Sequence, residues 1–213
     1  MRPRRCNTEE SMRSDTRRNI RLLLNAVAEE IEENPTGLSM QSAAARAGIG
    51  TATAYRYFST LDDLVAAYVL EVFEELKTFS HDATESGAEL FNVVLREWVD
   101  VVLRNGQAMV HLRSRSGFLQ RLDAGNPVID RSREIWERPL ASLLDDMDEP
   151  ATDLRWAMFL ANILSDPREI LDLHRAAGLS VDEICASLDG AIRGAIAGWS
   201  TVTSSTDMLL PDV

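Results

Sequence analysis

The stretch from Leu38 to Leu64, LSMQSAAARAGIGTATAYRYFSTLDDL, constrains this chain more than any other. It describes two short helices meeting through a tight turn, Gly48-Ile49-Gly50. Ser39 is placed to N-cap the first, which runs to about Ala47. The second covers about Thr51 to Phe58, and Ser59-Thr60 breaks it. Thr60-Leu61-Asp62-Asp63 then reads as a capping box. It opens a long helix that continues through Leu64, Ala67, Tyr68, Val72 and Leu76 to about Phe79. Ala44 and Ala47 are small enough to let the two short helices approach. Ala54 and Phe58, four apart, share the inward face of the second, so Thr51, Ala52, Tyr55 and Arg56 point outward. An outward face of hydroxyls and a guanidinium, with no acid, suits a helix lying in a DNA major groove. The plainer alternative is a helical hairpin used only for packing. It leaves Tyr55, Arg56 and Tyr57, adjacent and all polar-tipped, without a purpose.

The rest of the chain predicts an all-α fold of about nine or ten helices. The apolar residues Ile20, Leu23, Leu24, Val27 and Ile31 recur at three- and four-residue steps, a helix over about Thr16 to Glu33 that Asn34-Pro35 ends. Further helices are expected at about 88–104, 107–122, 127–147, 151–164, 167–177 and 181–199. Gly87 and Gly106 interrupt the apolar pattern. Asn126-Pro127 and Asp166-Pro167 each set a polar cap before a proline at the first helical position. Ser180-Val181-Asp182-Glu183 is another capping box. These boundaries give a disordered basic arm (1–14), a helix-turn-helix domain (15–60), a helical body (61–200) and a flexible tail (201–213).

Charge divides the chain the same way. The net charge of −12 argues against nucleic acid until its distribution is read. Residues 1–60 hold 9 Arg and 7 acids, whereas residues 61–213 hold 13 basic and 27 acidic residues. A basic arm on an acidic body fits a protein that touches DNA at one end only, although a solvated tail on an acidic protein has the same balance. No apolar run approaches the roughly 20 residues that span a bilayer, and the basic N-terminus lacks the apolar core of a secretory signal. The two cysteines, Cys6 and Cys185, have no metal-like spacing, nor do His81, His111 and His174. No metal or cofactor is expected, and a reduced cytoplasmic location is the simplest reading. No nucleophile–base constellation or phosphate loop argues for an enzyme.

Over roughly residues 16–70 the sequence resembles the tetracycline-repressor (TetR) family. That pattern is an apolar first helix followed by T-x-x-x-I-A-x-x-A-G-V-S-x-G-T-L-Y-x-Y/H-F-x-S-K-E-x-L. This chain supplies Ser39, Ala44, Ala47-Gly48-Ile49, Thr53, Tyr55, Tyr57-Phe58, Thr60, Asp62 and Leu64 in register. It departs at Leu61, where the pattern has Lys, at Ala52 for Gly, at Gly50 for the capping Ser, and at Ala43 and Ala54 for larger aliphatics. The resemblance implies a homodimeric transcription regulator, a repressor released from a palindromic double-stranded operator by a small-molecule effector. It implies that Ser39 binds phosphate, that Thr51, Ala52, Thr53, Tyr55, Arg56 and Tyr57 form the recognition helix, and that the tyrosine hydroxyls reach phosphate. Arg56 is the candidate base reader. Arg13, Arg17, Arg18 and Arg21 would add phosphate or minor-groove contacts. A helical small-molecule-binding protein whose DNA-reading role has lapsed is the alternative, supported by Leu61.

In the body, Ala186, Gly190, Gly194 and Gly198 lie at four-residue spacing on one helix. A smooth stripe of this kind suits close helix–helix approach, between subunits or inside one. By the resemblance, helices 151–164 and 181–199 pair with their twins as a four-helix bundle. Trp98, Met109, His111, Phe118, Trp136 and Phe159 are candidates to line an effector pocket. Each of the aromatics could equally be plain core.

Overall fold

The computed structural model describes residues 6–34, 37–112, 116–149 and 154–206, with side chains from Ser14 to Thr201 within those ranges. Ten helices and no strand occur among the described residues, so the fold is all-α. The chain divides into two compact units, residues 1–69 and 70–213.

The first unit contains α1 (Cys6–Glu33), α2 (Met40–Arg46), α3 (Thr51–Tyr57) and the opening turns of α4 (Leu61–Asp82). α1 buries the apolar face read from the sequence, with Leu23 and Val27 fully inaccessible and Leu24 and Ile31 nearly so. α2 packs on α1 and α3 on α2. Ala43, Ala44 and Ala54 are completely buried, so the small side chains are what let these helices close up. The Gly48 turn ends α2 with two bonds: Ile49 N–H donates to the Ala44 carbonyl (2.9 Å) and Gly48 N–H to that of Ala45 (3.1 Å). Closing both requires a left-handed residue, and Gly48 adopts φ 66°.

Two boundaries differ from expectation here. α1 starts at Cys6, so residues 6–14 of the expected disordered arm are helical. Nothing between Cys6 and Glu33 is Pro or Gly, so no residue stops the helix from growing toward the N-terminus. The division between units falls within α4, nine residues beyond the expected end of the small domain. Leu64, Val65, Tyr68 and Val69 are all buried in that first stretch of α4.

The second unit holds the remainder of α4 with α5 (Gly87–His111), α6 (Phe118–Asp123), α7 (Pro127–Asp146), α8 (Leu154–Leu164), α9 (Pro167–Arg175) and α10 (Val181–Thr206). α5 is the central element and packs against α7, α9 and α10; α8 packs against α7 and α10. Phe91, Leu95, Ile135, Leu140, Leu143, Leu144 and Ile170 are fully buried there. No helix among the described residues is long and apolar enough to cross a membrane.

Gly106 does not break α5; one helix runs where two were expected, and α6 is a separate short helix. Gly106 is buried, and a Cβ on it would lie 3.1 Å from Leu171 Cδ1. The glycine is therefore a seat for α9, and burial against Leu171 outweighs its poor helix propensity of about 1 kcal/mol. α10 likewise runs to Thr206, past the expected stop near Trp199, since no Pro or Gly lies between Gly198 and Pro211. The positions 207–213 of the expected tail lie outside the described residues.

Pro139 sits inside α7, where it cannot donate to the carbonyl four residues back, that of Ile135. The buried Ser80 supplies the missing donor, its Oγ 2.8 Å from Ile135 O. Next to the proline, the Arg138 guanidinium donates to the carbonyls of Ser80 and Ala83 (both 2.9 Å), fastening the end of α4. Ser80→Ala should cost about 1–3 kcal/mol by orphaning that carbonyl. Adding Pro139→Ala restores an intrahelical donor and should recover much of the loss. Chemical denaturation of both variants measures this, and no rescue would mean that Ser80 acts otherwise.

Candidate nucleic-acid interface

α3 and its supports are short elements held by local bonds. Ser39 caps α2: its Oγ accepts from the Ser42 N–H (3.0 Å), and Ser42 Oγ accepts from the Ser39 N–H (3.0 Å). The Ser39 and Ser42 hydroxyl oxygens also lie 3.1 Å apart, so this serine, expected to bind phosphate, takes part in the helix cap. Gly50 caps α3 with its backbone alone. At the start of α4, Thr60 and Asp63 exchange the two bonds of a capping box, both 3.0 Å.

α3 turns Ala54 wholly inward, while Ala52, Tyr55 and Arg56 are exposed. Thr51, Thr53 and Tyr57 are half-buried at the margins, and Phe58 is half-buried just past the helix end. Tyr55, 52% exposed, stands among the few large apolar side chains displayed to solvent. Tyr57 is steadied by α1: Asn19 Nδ2 donates to its hydroxyl oxygen at 3.1 Å. An oxygen that accepts from Asn19 keeps its own hydrogen for another acceptor. Thirty-eight residues separate the two, so no sequence spacing announces this contact.

The charges of this unit are sorted. Arg46 on α2 gathers three α1 carboxylates, Glu30 (2.8 Å), Glu33 (2.6 Å) and Glu29 (3.4 Å). Arg17, Arg18 and Arg21 on α1 and Arg56 on α3 are exposed and pair with no carboxylate among the described residues. One arginine thus neutralises a cluster of acids, and four others remain available to an external anion. The side chain of Arg13 lies outside the described residues. Hydrogen bonding from Arg46 holds the Glu33 carboxyl below the usual carboxylate range. A carboxyl lowered on folding stabilises above its unfolded pKa, and that contribution fades as pH falls through the folded value. Arg46→Leu should therefore lower the melting temperature at neutral pH, and the gap from wild type should narrow below about pH 4. A gap that does not change with pH would deny the cluster this role.

The expected pocket residues fall into separate places in the second unit. Trp98 and Trp136 meet, with ring centroids 6.1 Å apart, in a buried cluster that includes Phe73 and Phe91. Trp98 Nε1 donates to the Ser165 carbonyl at 3.2 Å. Phe159 instead joins Trp156 and Trp199 where α8 meets α10. Met109 and Phe118 are half-buried, and His111 is exposed at the last position of α5. An open groove of about 540 Å3 lies along α5, bordered by Phe79, Ala88, Asn92, Val93, Arg96 and Asp100. None of the expected six residues lines it.

The small-residue stripe is on the surface. Ala186, Gly190, Gly194 and Gly198 are all exposed, and a Cβ built on any of the three glycines meets nothing within 4 Å. The opposite face of α10 buries Ile184, Leu188, Ile192 and Ile196. Among the described residues, nothing within the same subunit packs on the stripe. Ile163 on the neighbouring α8 is also 51% exposed.

No protein-family profile and no curated protein matches the sequence. Solved structures do. A TetR-like transcriptional regulator from Rhodococcus sp. RHA1 is 19% identical with a TM-score of 0.56, covering 84% of this chain and 96% of that one. A TetR-family regulator from Streptomyces coelicolor is 19% identical with a TM-score of 0.54, covering 84% and 98%. The transcriptional regulator FadR from Bacillus subtilis, solved in complex with stearoyl-CoA, is 16% identical with a TM-score of 0.58, covering 83% and 97%. The chain thus has the all-α fold of the TetR-family transcriptional regulators.

Proposed function

We propose that this chain is a homodimeric DNA-binding regulator of the TetR family, a repressor that leaves a palindromic operator when its body binds a small-molecule effector. The observation that carries the reading is the charge sorting around α3. An acid-free outward face bearing Tyr55 and Arg56 is accompanied by unpaired Arg17, Arg18 and Arg21, in a chain whose net charge is −12. The in-register motif from Ser39 to Leu64 supports it independently.

In this reading a symmetric dimer sets two α3 helices into successive major grooves. Arg56 reads a base edge, Tyr55 and Tyr57 bond phosphates, and Arg17 and Arg18 add phosphate contacts. The exposed stripe of Ala186, Gly190, Gly194 and Gly198 forms the dimer contact. α4 begins in the first unit and ends in the second, so a shift of this one helix links effector binding to the separation of the reading heads. Effector and DNA are then negatively coupled, each weakening the other by the same factor. That FadR of the same fold was solved in complex with stearoyl-CoA supports a small-molecule effector. The protein has no catalytic role in this account.

The test is a titration of purified protein against DNA flanking its own gene, beside a scrambled duplex, at several salt concentrations. Tight binding to the native fragment, falling steeply with salt at about 0.9 logarithmic units per phosphate contacted, is expected. Equal and weak binding to both duplexes would favour a binding protein that no longer reads DNA, the alternative to which Leu61 points.

A further inference from the structure

α6 packs on α7 and α8, and it carries Arg121, which forms no ion pair among the described residues. Arg121 is half-buried, and its Nε is fully enclosed with no hydrogen-bond partner among the described residues. The unit around it is rich in carboxylates, and the other half-buried basic side chains among the described residues have found them. Lys77, Arg131, Arg133, Arg168 and Arg193 are each held by Asp or Glu. Asp123, two residues from Arg121 on the same helix, is instead taken by Arg155 through both oxygens, at 2.9 and 3.1 Å.

A guanidinium does not relieve this by losing its proton. Burial pulls the Arg121 pKa down, yet an arginine stays charged, so its enclosed Nε–H is left as an unanswered charge-assisted donor. Methionine would fill the same space without that cost. A planar fork of donors held in this state matches a carboxylate or a phosphate. Phe118, Leu119 and Leu122 on the same short helix are all half-buried, and none of its residues is fully buried. Apolar surface therefore accompanies the cation.

We infer that Arg121 is the anion-recognising group of a binding site at α6, and that the site takes an amphipathic organic anion, a carboxylate or phosphate joined to an apolar portion. The inference rests on reading the second unit as the effector-binding body and names the chemical class of that effector.

The experiment follows thermal unfolding of the full chain in the absence of DNA. The probes are decanoate, decyl phosphate, decan-1-ol and inorganic phosphate, used below micelle formation. Wild type should be stabilised by at least one of the two amphipathic anions and not by the alcohol, and which anion acts identifies the head group. Arg121→Met should melt about 2–4 °C higher than wild type without probe, because the unanswered donor is gone, and should lose the anion shift. Arg121→Lys should keep part of that shift. An Arg121→Met protein less stable than wild type, an anion shift of equal size in both, or no shift in wild type would each overturn the inference. The readout does not involve DNA, so an anion shift in a protein that fails to bind its operator would reject the regulator reading and leave the anion site standing.

Discussion

Gly194→Leu is expected to yield a folded chain that no longer dimerises. Within one chain Gly194 is exposed, and a Cβ there meets nothing within 4 Å, so a side chain can leave the helix into open space. Leucine is also the better helix former, by about 1 kcal/mol, so α10 itself gains. The burden falls on the contact proposed between copies. Helices that approach over bare glycine leave no room for an isobutyl group, and overpacking of this kind costs about 1–3 kcal/mol. A two-fold interface presents the same residue from both subunits, so the penalty enters about twice. The dimer dissociation constant should rise at least tenfold, and more where the costs add, at about 1.4 kcal/mol per tenfold. Sedimentation equilibrium at several concentrations reads the change, and circular dichroism confirms that the helices persist. Unchanged dimers would remove the stripe from the interface. DNA binding should weaken in parallel, since a monomer engages only half of a palindrome.

Local chemistry was legible in the sequence, and contacts across long separations were not. The capping box at Thr60 and Asp63 forms as read, and so does the one at Ser180 and Glu183, because a cap depends on residues three apart. Asn126 and Asp166 cap helices that open with Pro127 and Pro167 for the same reason. Gly106 misled because an interior glycine reads as a break, and only the distant Leu171 shows that it is a seat. The candidate site followed this division. Ala54 inward and Tyr55 and Arg56 outward came from helical periodicity. The Asn19 support of Tyr57, the carboxylate clamp on Arg46 and the enclosed Nε–H of Arg121 depend on which surfaces meet in three dimensions. The pocket aromatics were the weakest inference, since a tryptophan suits a core and a cavity wall equally. Trp98 and Trp136 lie in a packed buried cluster.

Arg56→Ala should cost operator affinity and base preference together, and so differ in kind from the loss of a phosphate contact. Arg56 is exposed on α3 and unpaired, with no acid on the helix to compete for it. A guanidinium free to present two donors discriminates guanine from other bases by about 1–3 kcal/mol in each half-site. In a symmetric dimer both copies lose it, so the total reaches about 2–6 kcal/mol on the palindromic site. Binding to a scrambled duplex should fall much less, because that binding rests on phosphates. Arg17→Ala supplies the contrast. It should weaken both duplexes alike and reduce the salt slope by about 1 per subunit, with operator preference intact. Measuring each variant on both duplexes across a salt series separates the two roles. If Arg56→Ala lowered both affinities equally, Arg56 would be a phosphate contact, and base reading would pass to the other exposed or marginal residues of α3, among them Thr51 and Tyr55.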